Sequence, residues 1–228
     1  MRSKQSGFTL VEIAIVLVII GLLLGGVLKG QELINSAKVK NMINDFRTIS
    51  SLVYSYQDRF KAFPGDQTQA QLDSAFGAGV ANACTPAADG LCRNGNARLD
   101  GSWNATDITQ ETFVIWQHVR LANLATGATV MSPTYGPTNA DGGQVGVESG
   151  LDAAGAAAPW IAGMRGSFYV CSAGILGRYV RQIDTTMDDG NTAGGNVRAV
   201  ALSAARGSAA VDTSLVNDGQ QYVVCAAF

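Results

Sequence analysis

The chain is poor in charge and almost without histidine. Charged residues are 15% of its 228 positions, against roughly 25% in a typical soluble domain. One histidine excludes a centre built from several imidazoles. The four cysteines never fall in a CxxC spacing, so zinc-ribbon and thioredoxin-type readings have no support. No GxSxG, HExxH or phosphate-loop pattern occurs. Lysine is absent beyond Lys61, which removes Ser–Lys chemistry from the rest of the chain. His118 lies in a segment read as helix and is expected to be a core or surface residue rather than a general base. A net charge of −2 excludes a strongly basic nucleic-acid surface. We therefore expect neither an enzyme nor a nucleic-acid partner.

Hydrophobicity is abundant but unevenly placed. From Phe8 to Leu28 only Thr9 and Glu12 are polar. About 20 apolar residues in a helix span a bilayer core of roughly 30 Å. Arg2 and Lys4 precede the run, so the positive-inside bias keeps the N-terminus cytoplasmic and exports the rest of the chain. The run is too long for a secretory signal peptide, whose apolar core is about 7–15 residues, and no A-x-A site comes after it. Glu12 is out of place in a plain anchor, because a carboxylate at membrane depth costs roughly 2.5–3.5 kcal/mol on insertion scales. The segment offers it no cation within its own helix, and a freed amine at Phe8 would be the nearest.

The residues Gly7-Phe8-Thr9-Leu10-Val11-Glu12 resemble the processing site of type IV pilins and type II secretion pseudopilins. The resemblance implies that Gly7 ends a leader cut away by prepilin peptidase. It makes Phe8 the new, N-methylated terminus and Glu12 the carboxylate that docks each subunit into a filament. Gly21 also falls where many members have glycine. Where many carry proline, this chain has Lys29 among Gly25, Gly26 and Gly30. The close resemblance covers about residues 1–60.

Beyond Lys29 the helical pattern continues. Val39, Met42, Phe46, Ile49, Val53, Tyr56 and Phe60 alternate at spacings of three and four, a stripe on one helical face. Phe63-Pro64-Gly65-Asp66 ends it. An unbroken helix from Phe8 to Ala62 would be about 80 Å long at 1.5 Å per residue. The expected organisation is a leader over 1–7, a transmembrane and assembly half-helix over 8–28, an amphipathic half-helix over 29–62, and an exported head over 63–228.

Within the head, residues 63–106 read as loop. A helix is expected over 108–124, capped by Asp107 with Gln110 reaching back. Residues 125–160 show little periodicity. SFYVCS at 167–172, VRAVAL at 197–202 and YVVCAA at 222–227 read as strands. Ile175, Tyr179, Ile183 and Met187 suggest a helix that stops at Asp188. The fold class is α+β, pilin-like: a long N-terminal helix packed on a small antiparallel sheet.

Export to an oxidising compartment makes disulfides expected. Of three possible pairings, Cys84–Cys92 and Cys171–Cys225 are favoured. The first closes a short loop and the second ties the last strand back to the head, which also fits a pilin-like C-terminal region. Asp89, Asn94, Asn96 and Asp100 place oxygen donors in a glycine-containing loop and are candidate calcium ligands, without an EF-hand spacing. Asp184, Asp188 and Asp189 are a second such group. The alternative at both is a solvated turn of Asx residues.

The expected function is a structural subunit of a type IV pilus-like filament, a minor pilin or a secretion pseudopilin. Its partners would be copies of itself, other pilin-like subunits, the peptidase and methylase, and inner-membrane assembly machinery. Its head would be periplasmic or at the cell surface. A major pilin and an uncleaved single-pass protein with an exported binding head are the alternatives.

Overall fold

The computed structural model describes residues 9–151 and 155–228. Two compact units divide between Lys38 and Val39. Helix α1, Leu10–Phe60, runs through both. Phe8 lies outside the described residues. Within the first unit, every described residue from Thr9 to Lys29 is exposed. Lys29 forms an ion pair with Glu32 at 2.7 Å, one turn on.

The second unit begins where α1 becomes amphipathic. The apolar stripe is buried from Val39 to Tyr56, joined by Ile43 and Ser50. The helix ends at Phe60, and Lys61 turns left-handed at φ 54°. Gly65 has φ +103°, and a Cβ there would stand 2.6 Å from the Glu111 carbonyl oxygen, so the turn needs glycine. The stop lies two residues earlier than expected.

Helix α2, Gln69–Phe76, occupies part of the segment that reads as loop. Its Thr68–Gln71 capping box is local and starts the helix. Helix α3, Glu111–Leu121, begins three residues later than expected. The physical reason is that Asp107 accepts from the amide and hydroxyl of Thr109, an Asx turn rather than a cap. Gln110 likewise turns away and accepts from the Ser102 amide at 2.8 Å.

Strands β1, Val145–Glu148, and β2, Tyr169–Leu176, precede helix α4, Gly177–Met187. Strand β3, Val197–Ala201, a 3-10 turn at Thr213–Leu215 and strand β4, Gln221–Ala227, complete the chain. Strand β1 falls in a stretch whose sequence shows no strand pattern. Strand β2 begins later and ends further on than expected, taking Ile175 from the expected helix. Its register against β4 shifts between Ser172 and Ile175, around Gly174 at φ +72°. The extra length is therefore a bulged continuation of the strand.

The sheet is antiparallel throughout, in the order β1-β2-β4-β3. Alternate residues of β4 feed two cores. Tyr222, Val224 and Ala226 join the large core with α1, α3 and α4. Val223 and Cys225 join a smaller core with Trp103, Ile161 and Met164 on the opposite face. The expected architecture of a long helix on a small antiparallel sheet is the one observed.

Candidate functional site

The N-terminal segment starts its helix with a local device. Thr9 is the residue before α1, and Glu12 is the third helical residue. The amide and hydroxyl of Thr9 donate to Glu12 Oε2 at 2.8 and 2.7 Å. The Glu12 amide donates back to Thr9 Oγ1 at 3.3 Å. This reciprocal pair is a capping box. It draws the one acid of an apolar segment to the N-terminal end of the helix, beside the Thr9 amide. The T-x-x-E spacing that forms it is present in the sequence, where the charge of Glu12 is the more conspicuous signal. Gly7 and Phe8, the expected cleavage and methylation residues, lie outside the described residues.

Apart from Thr9, the helix surface next to Glu12 is apolar, including Leu10, Val11, Ile13, Ile15 and Val16. Among the described residues, α1 is the one helix long and apolar enough to cross a membrane. A Cβ added at Gly21, Gly25, Gly26 or Gly30 would meet nothing within 4 Å. These glycines therefore answer no packing need inside the described chain. Each costs a helix about 1 kcal/mol relative to alanine.

The head is stapled twice, in the expected pairing. Cys84–Cys92 closes an eight-residue separation, with Cα atoms 5.9 Å apart. Cys171–Cys225 joins directly paired residues of β2 and β4, with Cα atoms 4.1 Å apart.

His118 is fully buried on α3. Its Nδ1 accepts from the Gly65 amide at 2.9 Å. Its Nε2 lies 2.9 Å from the Asn82 carbonyl oxygen, which fixes the proton on Nε2. Burial lowers its pKa to about 4 against the opposing bond to Asn82. The ring is a neutral cross-link between loops, which places it in the core, one of the two positions left open for a lone helical histidine.

The loop that carries the first candidate calcium ligands is organised by two further acids, Asp66 and Glu111, which no sequence motif marks. Asp66 accepts from the amides of Gly95, Asn96 and Ala97 at 2.7–2.9 Å. Glu111 accepts from the amides of Arg93 and Asp100 at 2.7 and 2.8 Å. Burial raises the Glu111 pKa to about 8, with Asp100 and Asp66 adding repulsion and the two amides opposing. Asp100 is buried in a two-pronged pair with Arg93, at 2.8 and 2.9 Å. The cation beside Asp100 is thus a guanidinium of this chain. Asn96 donates to Asp100, Asn94 to the Cys84 carbonyl, and exposed Asp89 accepts from the Leu91 amide. Each of the four residues serves the loop's own hydrogen bonding. No local spacing announces Asp66 or Glu111, because their donors lie far along the chain or belong to an irregular loop.

An ion pair between buried Glu148 and half-buried Arg206 lies beside the smaller core. Glu148 Oε2 meets Arg206 Nη2 at 2.6 Å, and Glu148 also accepts from the amides of Trp103 and Trp160. At the end of α4, Asp184 is buried near Asp188 and Asp189.

Comparison with known proteins is informative at the N-terminus alone. Residues 2–28 match the family model of the prokaryotic N-terminal methylation motif. No curated protein and no solved structure matches the chain. The chain therefore carries the prepilin-type motif of type IV pilins and pseudopilins. With the apolar helix, the motif supports a precursor anchored in the inner membrane. It implies processing by prepilin peptidase and assembly with pilin-like subunits, and it points to a structural subunit rather than an enzyme.

Proposed function

We propose that this chain is a structural subunit of a type IV pilus-like filament, either a minor pilin or a secretion pseudopilin. Peptidase cuts after Gly7 and Phe8 becomes the methylated terminus. Residues 8–28 hold the precursor in the inner membrane and then pack against neighbouring helices in the filament. The head, expected over 63–228, lies in the periplasm or on the cell surface.

The observation that carries the reading is the motif at residues 2–28, set on an exposed apolar run, Leu10–Leu28, whose one acid is Glu12. The capping box holds that carboxylate at the end of the helix that cleavage would expose. In the filament Glu12 meets the Phe8 amine of an adjacent subunit, so neither charge is buried alone. The open glycines support the same reading, because helices in apolar surroundings approach closely where side chains are small. Removing seven residues from 228 leaves a chain large for a major subunit, which favours a minor pilin or pseudopilin.

Intact mass of the protein from native membranes tests the processing. Loss of residues 1–7 with one added methyl group is expected, and an uncut chain would overturn the assignment. Glu12→Ala tests the assembly step. It should leave processing intact and block incorporation into filaments, so normal incorporation would refute the role of Glu12.

A further inference from the structure

The last turn of α4 has charge of the wrong sign for its place. A helix C-terminus is the negative end of the helix dipole and favours cations. This one has no basic residue in its last turn. Instead Asp184 lies in that turn, with Asp188 and Asp189 just beyond it. One carboxylate oxygen from each residue lies within 4.8 Å of the other two.

Asp184 is 1% exposed. Neither of its carboxylate oxygens has a hydrogen-bond partner among the described residues. A buried ionised carboxylate is ordinarily paired or coordinates a metal. The neighbouring acids are held in place by the loop before β3. Asp188 Oδ2 accepts from the amides of Asn196 and Val197, and Asp189 Oδ1 from the amide of Asn191. None of the described ion pairs includes any of the three acids.

We propose that Asp184, Asp188 and Asp189 bind one hard divalent cation of the calcium class, joining the end of α4 to the loop that leads into β3. Carboxylate oxygens are hard donors, and calcium holds them at about 2.3–2.6 Å, so its coordination sphere is roughly 5 Å across. Three oxygens within 4.8 Å of one another fit around one such ion. Asp184 closes the site from the interior and exposed Asp189 leaves its outer side to water. A partly hydrated site of this kind has a dissociation constant of about 10⁻⁴–10⁻³ M. The site uses no residue of the N-terminal segment, so its failure would leave the filament reading untouched.

The test uses the full chain in detergent micelles, stripped with chelator and titrated calorimetrically with calcium chloride. One ion per chain is expected, with a melting temperature that rises with calcium. Asp184→Asn should weaken binding by about tenfold or more, because affinity depends on the charge count of the ligands. In calcium-free buffer the same variant should melt no lower than the unmodified chain, since it removes a buried unpaired charge. A purely structural aspartate would give a lower melting temperature. If Asp184→Asn does not fold, Asp189→Asn carries the test on an exposed position and should also weaken binding. Asp89→Asn should leave affinity unchanged. No saturable binding up to about ten times the upper dissociation constant, or unchanged affinity in both cluster variants, would overturn the proposal.

Discussion

The buried imidazole of His118 gives a stability effect that can be isolated by pH. In the folded chain its pKa is lowered to about 4 from the ordinary 6.5. The folded state therefore resists a proton that the unfolded chain accepts. The stability so contributed is fully present above pH 6.5 and is lost as pH falls toward 4. Between about pH 7.5 and pH 5 the loss amounts to about 2 kcal/mol by linkage. Other groups move the opposite way, Glu111 above all, so the profile of the unmodified chain alone cannot identify the histidine. A variant without the imidazole can. His118→Asn keeps an acceptor near the Gly65 amide but loses the donor to the Asn82 carbonyl. Near pH 7.5 it should cost about 2–4 kcal/mol, from one lost buried hydrogen bond and the space of the missing ring atoms. Near pH 5 the difference should shrink by about 2 kcal/mol, because only the unmodified chain gains a histidine proton on unfolding. Urea titrations of both proteins, disulfides intact and monitored by tryptophan fluorescence, measure the difference directly. A gap independent of pH would refute the burial argument for His118.

The other expectations concern the staples and the remaining buried charges. Replacing Cys171 and Cys225 together by serine should cost about 4 kcal/mol in the chain-entropy account, against about 2.5 kcal/mol for Cys84 with Cys92. Denaturant midpoints of the two double variants check the order, and a larger loss at the short loop would contradict it. Arg206→Met should cost about 3–5 kcal/mol by leaving Glu148 charged and buried, while pairing it with Glu148→Met should restore much of the loss; a double-mutant cycle reads the coupling. Glu111 has its folded pKa raised to about 8 from 4.5. The stability it contributes is fully present below pH 4.5 and lost as pH rises through 8. The unmodified chain should accordingly lose about 2–3 kcal/mol more than Glu111→Gln between about pH 6 and pH 9, as measured by thermal melts.

Legibility tracks the range of the interactions. The stripe from Val39 to Tyr56 and the stop near Pro64 are written in local spacing, and they set α1 in its place. The motif at residues 2–28 is equally local. Helix α2 is hidden although Thr68 and Gln71 carry its cap in plain view, because the surrounding glycines and alanines suggest loop. Strand β1 is hidden for a non-local reason. Gly146 weakens its pattern, and the need for that glycine is the Trp103 carbonyl passing close over the strand from a distant part of the chain. Asp66, Glu111 and His118 act on backbone groups of distant loops. A sequence shows such residues but not their donors. The disulfides are legible because only three pairings exist and one of them closes both a short loop and the final strand.

The position of β4 in the sheet governs when the head can finish folding. This strand, Gln221–Ala227, is the last of the described strands in sequence, yet it lies between β2 and β3. Among the described strands β3 has no other neighbour, and Cys171 waits for Cys225. As the chain is made, β4 follows the three strands it must join, so β1, β2 and β3 are all present before it. Until β4 arrives, β3 stays unpaired and one edge of β2 stays open. The pairing of both neighbours and the closing of the Cys171–Cys225 staple therefore come together, as one late event in the folding of the head.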